Sequence, residues 1–115
     1  MKVKSYKVED IVVIEPLEKF LTGDEIKELE DKLAEAHSTR ISKVVIDFSK
    51  TELIYSAFIS TLLGYNQKFR KAGGGIRLAN LSLEVKKIIE VTRLFQIFET
   101  YSSLDEALDS FKKGK

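Results

Sequence analysis

Three side chains in this sequence could accept a phosphoryl group or move a proton, and each stands beside a regular element. Ser56 precedes an apolar helical face, Asp47 ends a β-branched run, and His37 is the only histidine. A serine at a helix N-cap accepts a hydrogen bond from an orphan backbone N–H, worth about 0.5–2 kcal/mol. The same place offers unpaired N–H groups and the positive end of the helix dipole, which together solvate a phosphate. Ser56, placed at the N-cap, is therefore compatible with both a capping and a phosphoacceptor role.

Asp47 at the end of a central strand occupies the kind of position at which receiver domains are phosphorylated. That chemistry needs further carboxylates at an adjacent strand end to hold Mg²⁺, and the second strand offers only Glu15 before Pro16. The plainer role for the Asp47 carboxylate is to accept from backbone N–H groups of the turn that follows. His37 falls near the end of a helix, where a cation is favoured by the dipole. It has no companion for a Ser/His/Asp order, and there is no cysteine for thiol chemistry or metal ligation. The glycines at 73–75 lack the Lys-Ser/Thr of a phosphate loop and follow a helix, so they read as its C-cap. The chain is predicted not to be an enzyme, with no metal site and no cofactor.

The elements that position these residues follow from periodicity. Val44, Val45 and Ile46 form a short run suited to a strand buried on both faces. Phe58, Leu62, Tyr65, Phe69 and Ala72 fall at helical spacing and define the inward face of the next helix. On its other flank Ser56, Ser60, Gly64 and Lys68 recur every four residues, a strip of little bulk. That strip either admits a partner surface or relieves crowding against the chain's own elements. A helix between Val44–Ile46 and the strand at Ile76–Ala79 implies parallel pairing.

Val3–Val8 and Ile11–Ile14 predict an antiparallel hairpin, closed by Pro16. Thr22 with Glu25 is a capping box opening a helix to about His37, with Ile26, Leu29, Leu33 and Ala36 inward. Ser82 caps a third helix carrying Val85, Ile88 and Ile89, and Ser103 with Glu106 opens a last one. Between them Phe95, Ile97 and Phe98 read as a final edge strand. The predicted fold class is α/β: one domain over residues 1–115, a mixed and mostly parallel sheet with an N-terminal antiparallel hairpin and about four helices.

The series VVIDFS, a short loop, a serine opening a helix, KAGG ending it, then a strand and VKKIIEVTRLFQIFETYSSLDEAL resembles a STAS domain of the bacterial anti-sigma factor antagonists. The resemblance spans nearly the whole chain and is densest from Val44 to Leu108. It implies a regulator of transcription that sequesters an anti-sigma factor of the serine-kinase type and is switched by phosphorylation of the serine at the loop–helix junction, here Ser56. The family's loop motif is Asp-Ser-Ser/Thr-Gly and an aliphatic residue. The matching positions are Tyr55, Ser56, Ala57, Phe58 and Ile59, so only the serine and the aliphatic residue coincide. A Gly-x-aliphatic-Asp turn after the second strand is replaced by Glu18 to Gly23.

The partner-binding surface is accordingly expected at Tyr55, Ser56, Ala57, Phe58, Ser60 and Gly64. The alternative is a degenerate module that binds a partner or small ligand constitutively, with Tyr55 and Phe58 as an apolar contact in place of a charge switch. Composition narrows the partners further. Nineteen basic and eighteen acidic residues leave a net charge of +1, which does not favour nucleic acid or an anionic membrane. A basic cluster at Lys68, Arg70, Lys71 and Arg77, extended by Lys86, Lys87 and Arg93, lacks interleaved aromatics and reads as solvated surface. No stretch approaches the ~18 apolar residues of a membrane span, and the N-terminus has no signal-like apolar segment, so a cytoplasmic location is expected.

Overall fold

A computed structural model describes residues 2–113. Its elements run β1 (Val3–Val8), β2 (Ile11–Pro16), α1 (Gly23–Ser38), β3 (Lys43–Asp47), α2 (Ser56–Lys71), β4 (Gly75–Ala79), α3 (Leu83–Val91), a 3-10 turn (Leu94–Gln96), β5 (Thr100–Tyr101) and α4 (Leu104–Lys113). The strands lie side by side in chain order. Strands β1 and β2 are antiparallel, with Val3 opposite Pro16 and Val8 opposite Ile11, and the remaining pairs are parallel.

Because strand side chains alternate between faces, the apolar runs of β2 and β3 feed two separate cores. Val12, Ile14, Val44 and Ile46 point to the side covered by α1, α2 and α3, where Leu29, Leu33, Phe58, Leu62, Phe69, Val85 and Ile89 are buried. Ile11, Val13, Val45 and Ala79 point to the other side and meet Ala107, Leu108 and Phe111 of α4. Within the described residues no helix is long and apolar enough to cross a membrane.

The helix ends are set locally. Glu25 turns back to accept from both the N–H and the hydroxyl of Thr22, each at 2.8 Å, which starts α1. Ser82 accepts from Val85 N–H at 3.0 Å, and Ser103 from Glu106 N–H at 3.1 Å. The Glu106 carboxylate reaches Ser102 N–H rather than that of Ser103, so this box closes one residue early. At the end of α2, Gly73 N–H bonds to Arg70 C=O and Gly74 N–H to Phe69 C=O, with Gly73 at φ +100°. Any Cβ on Gly74 would sit 2.0 Å from the Ser42 carbonyl oxygen, so a glycine is required where α2 turns into β4.

Two expectations are corrected. The inward face of α2 ends at Phe69, and Ala72 is exposed at the helix cap. Asn66 joins that face instead, its Oδ1 accepting Ile76 N–H at 2.8 Å in a buried bond that ties α2 to β4. The run Phe95, Ile97 and Phe98 is not a strand. Arg93 adopts a left-handed conformation (φ 59°) that ends α3, and Phe98 N–H bonds to Leu94 C=O. This four-residue spacing buries Leu94 and Phe98 and leaves Phe95 and Ile97 outside; the edge strand forms later, at Thr100–Tyr101.

Three carboxylates titrate below their ordinary range because the fold supplies donors. Thr22 N–H leads for Glu25, Lys2 N–H for Glu28, and the Lys43 ammonium for Asp10. Glu28 Oε1 accepts from both Lys2 and Val3 N–H, which covers one end of the exposed edge of β1. A carboxylate that binds its proton less tightly folded than unfolded stabilises the fold above its ordinary pKa, and this contribution is lost as the pH falls through the folded value. Denaturant unfolding between about pH 6 and pH 3 should therefore show stability declining below the ordinary glutamate value of 4.5. Glu25→Gln should shrink that decline; an unchanged acid limb would contradict the assignment.

Candidate functional site

At the start of α2 the chain changes side twice within five residues. Ile54 is 2 % exposed and Phe58 1 %, whereas Tyr55, Ser56 and Ala57 between them are exposed. The N-cap is Tyr55, extended at φ −124° and ψ 171°, and Ser56 is the first helical residue. Ser56 therefore does not cap the helix, which corrects the placement expected from sequence. Tyr55 contributes only its carbonyl, accepting from Phe58 N–H at 3.0 Å and Ile59 N–H at 3.2 Å. Its side chain makes no cap hydrogen bond, and the first turn holds no acidic residue.

Phe58 belongs to the core and not to the surface. Its ring meets Phe48 edge-on at a centroid distance of 5.9 Å, so the partner contact expected of it is physically closed. Ser60, Gly64 and Lys68 are exposed along the helix with Ser56. A Cβ added at Gly64 would meet nothing within 4 Å, so the glycine does not relieve crowding against the chain's own elements.

The loop from Phe48 to Tyr55 that delivers this surface is anchored on both sides. The Lys19 carbonyl accepts from Glu52 N–H at 2.8 Å and Leu53 N–H at 3.1 Å, and the Glu18 carbonyl accepts from the Thr51 hydroxyl at 3.2 Å. The Ser82 hydroxyl donates to the Glu52 carbonyl at 2.7 Å, joining the loop to the start of α3. Phe20 and Leu53 pair as an isolated parallel bridge.

Beneath the loop two buried carboxylates converge from adjacent strand ends. Asp47 Oδ1 accepts from Ser49 N–H at 3.0 Å, as the turn reading requires, and from Asn80 Nδ2 at 2.9 Å. Glu15 Oε2 accepts from Lys50 Nζ at 2.9 Å, and Lys4 Nζ stands 4.0 Å from its other oxygen. The Glu15 hydrogen bond, chiefly, raises the Lys50 pKa. Burial first, then the Asp47 and Glu15 charges, raises that of Tyr6. Glu15 and Asp47 stand at the ends of adjacent parallel strands, but Lys50 is bonded to Glu15, and Ser49 and Asn80 to Asp47. Among the described residues no group of three or more His, Cys, Asp or Glu side chains is placed to hold a metal.

The other candidates lie elsewhere. His37 is exposed on α1 with its ring edge toward Phe69 at 5.8 Å. Arg77 leaves the basic cluster: it donates to Ser110 Oγ at 2.6 Å, approaches Glu99 at 3.8 Å and lies 4.0 Å over the Phe111 ring. The sequence reading missed Phe20, which is half exposed beside the loop, because its neighbour Leu53 is distant in the chain.

With the fold and this junction defined, comparison with known proteins identifies the class. The chain belongs to the STAS domain family, whose sequence model matches residues 2–107. The structure is similar to that of TM1081 from Thermotoga maritima (TM-score 0.86, 18% identity, 96% of this chain and 94% of that one). It is also similar to an anti-sigma-factor antagonist (STAS) domain protein from Planctomyces limnophilus (0.84, 20% identity, 96% and 98%). A third is SpoIIAA, an anti-sigma factor antagonist of Bacillus, in its unphosphorylated form (0.81, 19% identity, 96% and 96%). At these identities the likeness establishes the fold. No curated protein matches the sequence.

The inward and outward sides of the junction predict different mutational costs. Phe58→Ala should lose about 3–5 kcal/mol of unfolding free energy in urea. Ser56→Ala should stay within about 0.5 kcal/mol of the parent. Equal effects would contradict this division.

Proposed function

We propose that this chain is an anti-sigma factor antagonist acting in the cytoplasm, binding an anti-sigma factor of the serine-kinase type at the start of α2 and released when Ser56 is phosphorylated. The observation that carries this reading is an exposed serine at the first position of α2 in a STAS fold. Helices α1, α3 and α4 are each opened by side-chain bonds from Glu25, Ser82 and Ser103, while α2 has no side-chain cap. The N–H groups of Ser56 and Ala57 at its start are thus open to an anion, and phosphate brings about 1.5 to 2 negative charges.

In the proposed step the kinase supplies ATP and Mg²⁺. The Ser56 hydroxyl oxygen forms a bond to the γ-phosphorus, the bond to ADP breaks, and the hydroxyl proton passes to a base of the kinase. The added charge then stands at the centre of the contact and disfavours rebinding through repulsion and desolvation. SpoIIAA is known in both phosphorylated and unphosphorylated forms, which is consistent with such a cycle in this fold.

A constitutive module is favoured by one observation: Tyr55, where the family motif has an acid, is 46% exposed. Binding of Ser56→Ala and Ser56→Asp to the anti-sigma factor, with mass-spectrometric detection of phosphate, separates the two readings. The switch predicts affinity within about threefold for the alanine variant, a loss of about tenfold or more for the aspartate variant, and one phosphate on Ser56. Equal binding by all three proteins with no phosphate would establish the constitutive module instead.

A further inference from the structure

We infer that the open edge of β1 is a self-association surface, on which a second copy of this chain adds its own β1 antiparallel and joins the two sheets into one. The inference stands apart from the proposed contact at α2. Strand β1 lies at the end of the sheet and pairs only with β2. Val3 stands opposite Pro16, and Leu17 N–H donates to Lys2 C=O at 2.9 Å, so the main-chain groups of Lys4, Tyr6 and Val8 turn toward β2. Alternation turns those of Val3, Ser5 and Lys7 outward. Val3 N–H is taken by Glu28 Oε1 at 3.0 Å, whereas among the described residues the N–H and C=O of Ser5 and Lys7 are unbonded on that side.

These open groups select the occupant and its register. Two copies of β1 related by a twofold axis through Tyr6 set Ser5 of each opposite Lys7 of the other, so every outward N–H of these residues finds a C=O, with none left over. Val3 falls outside this register, as its bond to Glu28 requires. An axis through Ser5 would need Val3 N–H, one through Lys4 or Lys7 would set two ammonium groups directly opposite, and one between residues would turn outward groups against inward ones. Lysines on an edge strand ordinarily keep it from pairing. Here Lys4 meets Val8 and Lys7 meets Ser5, so no like charges stand opposite.

The other charges along the edge leave this pairing open. Lys2 and Lys4 lie 3.5 Å and 4.0 Å from Glu25 and Glu15. Lys7, Lys32 and Glu35 line the cavity between β1 and α1, so Lys7 of the second copy, opposite Ser5, falls on the side that carries the Glu35 carboxylate. On the other face α4 packs over β3, β4 and β5, and Tyr6 remains 36% exposed. The axis brings two such rings together as a cross-strand aromatic pair.

The test uses the full chain alone, by sedimentation over about 0.02 to 1 mM, and predicts a dimer that forms as concentration rises. The amides of Ser5 and Lys7 should exchange hydrogen about tenfold or more slowly at the upper concentration, with those of α3 unchanged. The chain has no cysteine, so Tyr6→Cys introduces a single thiol. At the axis its two copies stand about 4.5 Å apart between Cα atoms, within disulfide range, whereas those of Lys4→Cys lie roughly 13 Å apart. Oxidised glutathione should therefore cross-link Tyr6→Cys and not Lys4→Cys. Ser5→Pro removes an outward N–H without touching the ladder to β2, and Tyr6→Lys sets two ammonium groups together; each should weaken association about tenfold or more, while Tyr6→Phe keeps it within about threefold.

A chain that stays monomeric to about 1 mM, with Ser5 and Lys7 amides exchanging at one fast rate throughout, would overturn the inference. So would a dimer that both Ser5→Pro and Tyr6→Lys leave intact, or cross-linking of Lys4→Cys as readily as Tyr6→Cys. Slow exchange at both amides that does not vary with concentration would place a group of the same chain on the edge and overturn it as well.

Discussion

The surface at Ser56 exists because its two flanks are driven inward. Ile54 and Phe58 are both in the main core, four residues apart. Burial of each such side chain is worth about 1.5–3 kcal/mol, far more than the solvation preferences of the residues between them. With those two fixed, Tyr55, Ser56 and Ala57 have only the outward direction left. The exposure of the serine is thus a consequence of core packing, and it persists as long as the Phe48–Phe58 contact does.

Hydrogen bonding adds rigidity to that outward step. The loop is held by the Lys19 and Glu18 carbonyls on one side and the Ser82 hydroxyl on the other. The buried Asp47 and Glu15 fix its beginning through Ser49 and Lys50. Buried carboxylates of this kind are tolerated only when paired, and here the pairing fixes the loop that carries the site. The other helices close their own N-termini with side chains, whereas α2 leaves its donors to solvent or to a ligand. Packing and polar satisfaction therefore leave the Ser56 hydroxyl accessible at the start of α2.

How much of this was legible in the sequence depended on whether the cause was local. The β-branched run at Val44–Ile46, the Thr22–Glu25 box and the glycines after Ala72 each carry their reason within a few residues, and each forms as read. Phe58 was legible twice with opposite meanings. Its helical spacing marked it for burial, while its place in the loop motif suggested a partner contact, and the packing decides for burial. The run at 95–98 misled because apolar content alone does not separate a strand from a tight helical turn, and the left-handed Arg93 settles the matter. The pairings Glu15 with Lys50 and Phe20 with Leu53 join residues more than thirty positions apart, which no pattern in one sequence reveals.

The account turns on where a partner touches this fold. Chemical-shift mapping of the isotopically labelled chain, titrated with the anti-sigma factor proposed as its partner, tests that most directly. The predicted result is that the largest changes fall on the backbone amides of Phe20 and Tyr55 to Ala57, with those of Val91 to Ile97 unmoved. Changes centred on the latter group, with residues 55–57 silent, would contradict it.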